Sequence, residues 1–356
     1  MKIFNNNKSY YVFSVKLLSF IIFLSLVAII FYLLFRTDDN LKNEIQKIKI
    51  IDRPMEIYQI ENLSKLDFEG SKFSIKDTLY QSSENTFIPY LFNLEFQPNP
   101  NTPERKKTSG LINIPKDSGK YPLVLMIRGY VDQKIYTTGV GTKRAGEYFA
   151  SNGFITISPD FLGYGQSDEE SKNIFESRFQ TYTTVLYLLQ SINSDLFNNA
   201  IYNKWDGKNI FIWGHSNGGH IALAVLEITQ KYYPTSLWAP VSKPFPYSIL
   251  YYTDESEDKG KLIRYELSKF ENIYNVEKYS IYNFFDKINS PILLQQGTID
   301  DAVPINWSDN LYNTLKNNSK DIKYLTYEGS DHNMNNSWDK AVKDDLSFYL
   351  SYLDKN

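Results

Sequence analysis

The sequence has no cysteine, and this absence excludes disulfides, thiolate metal sites and a cysteine nucleophile. Histidine is scarce: only three occur among 356 residues. A strong charge of one sign is also lacking: the formal net charge of −3 gives no electrostatic reason to expect a nucleic-acid partner. No spacing of histidines and carboxylates indicates a metal site. We therefore expect no metal, no other cofactor and no nucleic-acid partner.

What is present is an ordinary globular composition, with 42% hydrophobic and 22% charged residues. Such a chain can bury a core and is not disordered as a whole. Its length accommodates one α/β domain with short appendages, and we expect no second large domain.

A hydrophobic run covers residues 17–35, carries no charge and is long enough to cross a bilayer. Three lysines precede it, whereas Asp38 and Asp39 follow it, and this asymmetry predicts that residues 1–16 stay in the cytoplasm. The run ends without the small residues of a cleavage site, so a retained signal anchor is favoured over a cleaved signal peptide and over a buried core helix. We expect a single-pass membrane protein with its folded domain outside the cytoplasm.

Residues 36–72 are polar and charged, with apolar residues at helical spacing, and we interpret them as a stalk. The folded domain is expected over residues 73–356. It begins with two segments of alternating polarity, 89–96 and 109–114, joined by a stretch rich in proline, asparagine and charge. This pattern predicts an antiparallel hairpin with a long loop.

After residue 122, short apolar runs alternate with segments of helical periodicity. The runs are apolar on every residue, which suits strands covered on both faces; they are residues 123–127, 154–157, 210–213 and 292–294. The predicted helices are residues 144–151, 178–192, 220–232, 307–315 and 338–353. Repeated alternation of strand and helix predicts an α/β fold with a doubly wound, mostly parallel sheet.

Residues 241–287 interrupt this alternation with two proline-containing turns, an acidic cluster and many tyrosines and phenylalanines. Two interpretations stay open. The segment is either a cap insertion over the ligand crevice at the carboxyl ends of the strands, or a set of surface helices joined by a long loop.

A nucleophile is indicated by Gly214-His215-Ser216-Asn217-Gly218, which follows an apolar strand and opens a helical segment. A serine nucleophile needs a tight, strained turn, and glycines two residues away on both sides allow the backbone to fold that sharply. The amide of Asn217 then points from a helix N-terminus at the position of an oxyanion. The alternative is a glycine-rich turn that merely ends the strand.

A serine hydroxyl needs a base to remove its proton, and the chain has three candidates. His215 belongs to the elbow, where its side chain would point away from the Ser216 hydroxyl. His220 lies one turn into the following helix and suits a packing role. His332 follows the apolar strand at residues 322–325, and we predict it as the base.

The imidazole in turn needs an acid that fixes its tautomer. Asp300 and Asp301 both follow the apolar strand at residues 291–295, so both lie at the carboxyl end of a strand. The residues alone leave the choice between them open.

Three motifs together resemble the α/β-hydrolase superfamily, and within it the prolyl oligopeptidase and dienelactone hydrolase-like branch. They are Ser-Pro-Asp-Phe-Leu-Gly-Tyr-Gly-Gln-Ser-Asp at residues 158–168, the elbow with its additional Gly219, and Gly-Thr-Ile-Asp-Asp-Ala-Val-Pro at residues 297–304. The resemblance extends from about residue 108 to residue 353. The chain order of nucleophile, acid and base also matches this superfamily.

The resemblance implies an α/β-hydrolase fold and two further site residues. Relatives place the acid three residues after the glycine of the last motif, which selects Asp300 over Asp301. The second oxyanion donor, beside Asn217, is implied to be the amide of Tyr130.

The sequence departs from the family pattern at two positions, because many relatives have histidine where this chain has Arg128 and Gln296. Backbone amides perform the oxyanion work, so we expect activity to survive both changes. Arg128 is interpreted as the partner of Asp160 or, alternatively, as a group that binds a substrate carboxylate.

The expected function is hydrolysis of a small-molecule ester or a peptide through an acyl-enzyme intermediate. The family motifs favour a peptidase, whereas the lack of room for a gating β-propeller before residue 108 favours an esterase. The alternative is a non-catalytic, membrane-anchored binding protein that retains the hydrolase fold.

Overall fold

The computed structural model describes residues 17–33, 52–82, 85–253 and 257–353. The chain divides into two units, Met1–Asp52 and Arg53–Asn356. In the first unit, residues 17–33 form a helix with exposed side chains. The predicted cytoplasmic residues 1–16 and residues 36–51 of the predicted stalk lie outside the described residues.

The transmembrane helix predicted over residues 17–35 is not supported. Residues 17–33 of that run are described as a helix, and residues 34 and 35 lie outside the described residues. Across the four described ranges, no helix combines the length and the apolarity that a membrane crossing requires.

One mixed β-sheet organises the second unit. Its strands are β1 (Lys72–Thr78), β2 (Phe87–Phe96), β3 (Lys106–Pro115), β4 (Tyr121–Ile127), β5 (Ile155–Pro159), β6 (Trp205–His215), β7 (Thr235–Trp238), β8 (Ile292–Gly297) and β9 (Ile322–Tyr327). They lie in the order β1-β2-β3-β5-β4-β6-β7-β8-β9. The pairs from β1 to β5 are antiparallel, and those from β5 to β9 are parallel, as predicted for a mostly parallel sheet.

The predicted hairpin is confirmed, because β2 and β3 pair antiparallel from Phe87 opposite Pro115 to Phe96 opposite Lys106. The apolar runs predicted as strands correspond to β4, β5, β6 and β8. The sequence pattern does not predict β1, a largely exposed edge strand, or β7, which has only four residues. Neither strand is long and apolar enough to give a periodic signal.

The helices of this unit are α1 (Ile60–Leu63), α2 (Lys143–Ser151), α3 (Ile174–Ile192), α4 (Asp195–Ala200), α5 (Asn217–Thr229), α6 (Tyr247–Leu250), α7 (Lys261–Glu271), α8 (Ile305–Asn317) and α9 (Trp338–Leu350). Helices α2, α3, α5, α8 and α9 coincide with the predicted ones. Helix α3 begins earlier than predicted because Asn173 caps it, accepting hydrogen bonds from the amides of Phe175 and Glu176.

Alternation along the central strands distributes side chains into two cores, one on each face of the sheet. In β4, Leu123, Leu125 and Ile127 join the larger core, whereas Val124 and Met126 join the smaller one. Helices α3 and α5 contribute to the larger core, and α2 and α9 contribute to the smaller one. Because helices cover both faces, this is the predicted doubly wound α/β fold.

Part of the predicted stalk belongs to the folded domain. Tyr58 and Leu63 are fully buried and join the larger core. The amide of Met55 donates a hydrogen bond to the hydroxyl of Tyr274 at 3.1 Å. The folded domain therefore begins near Arg53 instead of residue 73. This segment packs on the domain through short helical turns that contain few apolar residues. Such short turns have no repeating hydrophobic pattern, so the sequence does not reveal them.

Aromatic residues of the 241–287 segment pack against α3. Phe270 contacts Phe175 with ring centroids 5.1 Å apart, and Tyr279 stacks on Phe179 at 5.0 Å. These contacts fix the described part of the segment on the domain. Its role as a cap stays a prediction.

Candidate active site

Ser216 lies on the turn between β6 and α5, with φ 57° and ψ −122°. Such a backbone is strained for a residue with a side chain, at a cost of about 1–3 kcal/mol. A Cβ atom on Gly218 would lie 2.0 Å from the carbonyl oxygen of Ile127, and one on Gly214 would lie 2.8 Å from the carbonyl oxygen of Gly218. The sharp turn therefore requires glycine at both positions.

Backbone hydrogen bonds hold this elbow in place. The Ser216 amide donates to the carbonyl of Trp238, at the end of β7, over 2.9 Å. The Ser216 carbonyl accepts from the amides of Gly219 and Val241, both at 3.0 Å. Ser216 is thus fixed from the neighbouring strand and from the start of the 241–287 segment.

The loop after β4 passes directly beside Ser216. A Cβ atom on Gly129 would lie 2.9 Å from Ser216 Cβ and 3.5 Å from Ser216 Oγ. The next residue is Tyr130, which is 77% exposed. Asn217, the other predicted oxyanion donor, is the first residue of α5.

The structure brings Asp300 to His332, with Oδ2 2.8 Å from Nδ1. The Asp300 side chain is fully buried, whereas Asp301 is exposed. Asp300 also accepts hydrogen bonds from the amides of Ala302 and Val303, at 2.9 and 2.8 Å. These bonds aim the Asp300 carboxylate at the imidazole, as the family resemblance implies.

Gln296 braces the carboxylate of Asp300 at a position where many relatives have histidine. Its Nε2 donates to Asp300 Oδ2 over 2.8 Å, and its Oε1 accepts from Ser308 Oγ over 2.7 Å. Burial raises the pKa of Asp300, but hydrogen bonds from His332, Val303 and Gln296 outweigh burial and hold that pKa below its usual value. The sequence carries no signal for this role, which depends on long-range contacts.

The lowered pKa of Asp300 makes part of the stability depend on pH. A carboxyl group whose pKa is lower in the folded state stabilises above its unfolded pKa of about 4 and loses that contribution as pH falls through the folded value. We expect Asp300→Asn to be less stable than wild type near pH 7, with a difference that shrinks below about pH 4. Urea unfolding across this range measures it. A constant difference would show that the charge is not responsible.

His215 lies against His332. His215 Nε2 donates a hydrogen bond to the backbone carbonyl of His332 at 2.9 Å, and the two rings lie 4.7 Å apart at an interplanar angle of 37°. Burial, with a smaller contribution from neighbouring His332, lowers the pKa of His215 to about 4. Neutral His215 therefore supports the ring and backbone of His332, a positioning role that the sequence interpretation misses.

Ser216 Oγ and His332 form no hydrogen bond in the described residues. Catalytic hydrogen bonds are often long without substrate and tighten in the complex. Asp300 and His332 are therefore in contact in this conformation, whereas His332 and Ser216 are not hydrogen-bonded to each other.

Replacing His215 by phenylalanine keeps the ring contact with His332 but removes the hydrogen bond to its carbonyl. We expect kcat for ester hydrolysis to fall about fivefold to tenfold, with KM nearly unchanged, because one neutral hydrogen bond contributes about 1 kcal/mol. His215→Gln retains an N–H donor and should recover part of the loss. Steady-state kinetics of both variants test this role, and equal kcat in wild type and His215→Phe would refute it.

His220 has the packing role expected for it. The His220 side chain is buried, its Nδ1 donates to the carbonyl of Val241 at 2.9 Å, and its Nε2 accepts from the hydroxyl of Tyr182 at 3.0 Å. Burial, assisted by the charge of Arg178, lowers the pKa of His220 to about 3. The ring is therefore neutral and fully engaged.

The ion pair predicted between Arg128 and Asp160 is wrong. Arg128 donates instead to the backbone carbonyl of Asp160 at 2.8 Å, and its guanidinium lies 3.9 Å from the ring centroid of Tyr164. The Asp160 carboxylate is occupied by other donors, Ser109 Oγ at 2.6 Å and Thr138 Oγ1 at 2.7 Å among them. Arg128 is held by carbonyl groups and aromatic rings.

Two cavities flank the elbow. The larger, of about 720 Å³, is lined by His215 and Asn333 together with Trp213, Trp238 and Trp338. The smaller, of about 140 Å³, is lined by Tyr130 and Asn217 together with Arg128 and Arg178. The described part of the 241–287 segment lines neither of them. Within the described ranges, no group of three or more histidines and carboxylates could hold a metal ion.

Comparison with known proteins gives a family and one curated relative. The prolyl oligopeptidase family model matches residues 144–356. The acetyl esterase Axe7A of Xylanibacter ruminicola is 24% identical over 241 residues, which cover 60% of this chain and 50% of that esterase. This chain therefore matches only about half the length of that curated relative.

Solved structures share the fold. The acetyl xylan esterase of Paenibacillus sp. R4 has a TM-score of 0.59 and 15% identity, covering 83% of this chain and 92% of that one. A puromycin-hydrolysing peptidase of Mycobacterium tuberculosis has a TM-score of 0.53 and 18% identity, covering 80% of this chain and 40% of that one. At this identity the likeness establishes the α/β-hydrolase fold and nothing finer.

Proposed function

The chain belongs to the prolyl oligopeptidase family, and we propose that it is a serine hydrolase that transfers an acyl group from an ester or a peptide to water. The observation that carries this proposal is the hydrogen bond between Asp300 and His332, whose Oδ2 and Nδ1 atoms lie 2.8 Å apart. The pair lies at the carboxyl ends of the strands, and Ser216 lies on the turn that follows β6. All three side chains follow β8, β9 or β6, at the edge of the sheet where ligands bind in open α/β folds.

In the proposed reaction, Ser216 Oγ attacks the carbonyl carbon of the substrate while His332 Nε2 takes the hydroxyl proton. Asp300 holds the Nδ1–H of His332 and stabilises the imidazolium. The amides of Asn217 and Tyr130 stabilise the negative oxygen of the tetrahedral intermediate. His332 then protonates the leaving group, and an acyl-enzyme remains on Ser216. Water attacks the acyl-enzyme while His332 takes a proton from the water. The carboxylic acid product leaves, and Ser216 Oγ recovers its proton from His332.

The two cavities suggest where the leaving group and the acyl group of a substrate bind. The leaving group must face His332, which gives it a proton, and the larger cavity lies on the side of His215 and Asn333. The acyl group then enters the smaller cavity beside Tyr130 and Asn217. Its 140 Å³ correspond to only about five water volumes at roughly 30 Å³ each, so it suits a short acyl chain.

This division favours an esterase over a peptidase, since a peptide presents an extended chain on the acyl side. The relative from Xylanibacter ruminicola is named an acetyl esterase, and a short acyl group agrees with that name. The peptidase function remains the second candidate because of the family match. The predicted extracytoplasmic location of the domain stays a prediction.

A substrate panel tests the proposed function. The full chain would be assayed against p-nitrophenyl acetate, butyrate and octanoate and against peptide p-nitroanilides, with Ser216→Ala as the blank. We expect acetate and butyrate to be hydrolysed with the highest kcat/KM. Faster cleavage of a peptide anilide would establish the peptidase instead. Activity equal to the blank on every substrate would favour a non-catalytic binding protein.

A further inference from the structure

The smaller cavity contains an arginine that the proposed reaction does not use. Arg178 projects from α3, is partly buried, and its Nη2 donates to Asn217 Oδ1 at 3.0 Å. Within the described ranges no carboxylate lies within 4.0 Å of its guanidinium, and its other N–H groups have no protein acceptor. Arg178 is therefore an uncompensated cation in direct contact with the residue that follows the nucleophile.

A partly buried guanidinium without a carboxylate partner loses hydration energy that no ion pair in the described residues restores. Burial lowers the pKa of Arg178, which shows that its surroundings disfavour the charge. A guanidinium has five N–H donors, and one hydrogen bond to an amide oxygen uses only one of them. Charged groups removed from water are normally paired, and Arg178 is partly buried without a carboxylate partner in the described residues, so it offers its remaining donors to an anionic ligand in the cavity.

The other charged groups around the cavity do not neutralise Arg178. Glu170 lines the same cavity, but its carboxylate accepts from Gln133 Nε2 at 2.7 Å and from Ser177 Oγ. Arg128 lines the cavity as well and adds a second positive charge, held there by carbonyls and aromatic rings. The cavity thus presents two cations and one carboxylate that is already hydrogen-bonded.

We propose that the smaller cavity binds an acyl group that carries a terminal carboxylate, and that Arg178 is the residue that selects it. This inference rests on the proposed esterase function. Arg178 offers parallel N–H groups, the geometry that matches a carboxylate in a bidentate pair. The cavity volume of about 140 Å³ suits the acyl group of a short dicarboxylic acid, such as a succinyl group. The substrate would then be a half-ester of that acid. Arg178 contacts the acyl end remote from the bond that breaks, so it determines specificity and takes no part in proton transfer.

The test compares two esters of the same shape on the full chain. Monoethyl succinate carries the carboxylate, and ethyl 4-methylpentanoate replaces it by an isopropyl group. We expect wild type to prefer the succinate ester, and Arg178→Gln to lower kcat/KM for it by about 10- to 100-fold while changing the neutral ester less than threefold. Arg178→Lys should keep part of the preference. Arg264→Gln is the matched control, because Arg264 is an exposed arginine of α7 that lines neither of the two cavities.

The outcomes distinguish this inference from the proposed esterase function. If p-nitrophenyl acetate is not hydrolysed, the esterase function fails. If acetate is hydrolysed but wild type prefers the neutral ester, the proposed selectivity is wrong. Equal losses on both esters in Arg178→Gln would mean that Arg178 only holds Asn217, and they would also overturn it.

Discussion

Ser216→Ala is expected to lower kcat for p-nitrophenyl acetate by roughly 10⁴- to 10⁶-fold, because the proposed reaction forms its acyl-enzyme on Ser216 Oγ. The elbow should survive the change, since its turn depends on Gly214 and Gly218 and on the hydrogen bonds of the Ser216 backbone. Circular dichroism and the thermal midpoint should therefore match those of wild type. Residual activity would come from the oxyanion amides and from binding alone.

A second serine supplies the matched control. Ser248 is buried, and its Oγ has no hydrogen-bond partner among the described residues, so Ser248→Ala removes a hydroxyl without breaking a bond seen there. We expect kcat within about threefold of wild type, because the change creates none of the defects that destabilise a fold strongly. A similar loss of activity in both alanine variants would assign the effect to altered folding instead of the nucleophile.

Asp300→Asn is expected to lower kcat by roughly 10³- to 10⁴-fold with little change in KM. Asparagine keeps the shape of the side chain, but its amide nitrogen opposite His332 Nδ1 would favour the wrong imidazole tautomer. It also removes the negative charge that stabilises the imidazolium. Steady-state kinetics on p-nitrophenyl acetate measure the loss.

The neighbouring aspartate makes this prediction specific. Asp301 is exposed and lies one residue further along the same loop, so Asp301→Asn makes the identical chemical change without touching His332. We expect it to retain activity within about threefold, as surface substitutions commonly do. If Asp301→Asn loses more activity than Asp300→Asn, the acid has been assigned to the wrong residue.

The sequence predicts the arrangement of the site well because topology carries most of it. In a parallel sheet, residues that follow different strands meet at one edge, so the predicted strands alone are enough to expect Asp300 and His332 near each other. The choice between Asp300 and Asp301 comes from the family resemblance. The contact of 2.8 Å and the exposure of Asp301 agree with that choice.

Side-chain partners far apart in the chain are what the sequence does not reveal. Gln296 and His215 both support the Asp300–His332 pair, through hydrogen bonds to Asp300 and to the His332 carbonyl. The same limit explains the error at Arg128, whose expected partner Asp160 is occupied by hydroxyl groups. Residue type and spacing cannot distinguish a carboxylate contact from a carbonyl contact.

Sequence patterns also predict poorly where the helices and the folded domain begin and end. The segment from Arg53 has the pattern of a stalk because its apolar residues are few, yet Tyr58 and Leu63 are fully buried. A short apolar segment has no period to read, and only its packing partners show that it belongs to the core. The hydrophobic run at residues 17–35 has the composition of a membrane span, but no described helix meets the length and apolarity of one.

Covalent labelling identifies the nucleophile without reference to any substrate. The full chain would be treated with a fluorophosphonate probe, digested, and analysed by mass spectrometry to locate the adduct. We expect a single adduct on Ser216, its absence in Ser216→Ala, and slower labelling in Asp300→Asn. An unlabelled wild-type protein, or an adduct that persists in Ser216→Ala, would contradict the assignment of Ser216 as the nucleophile.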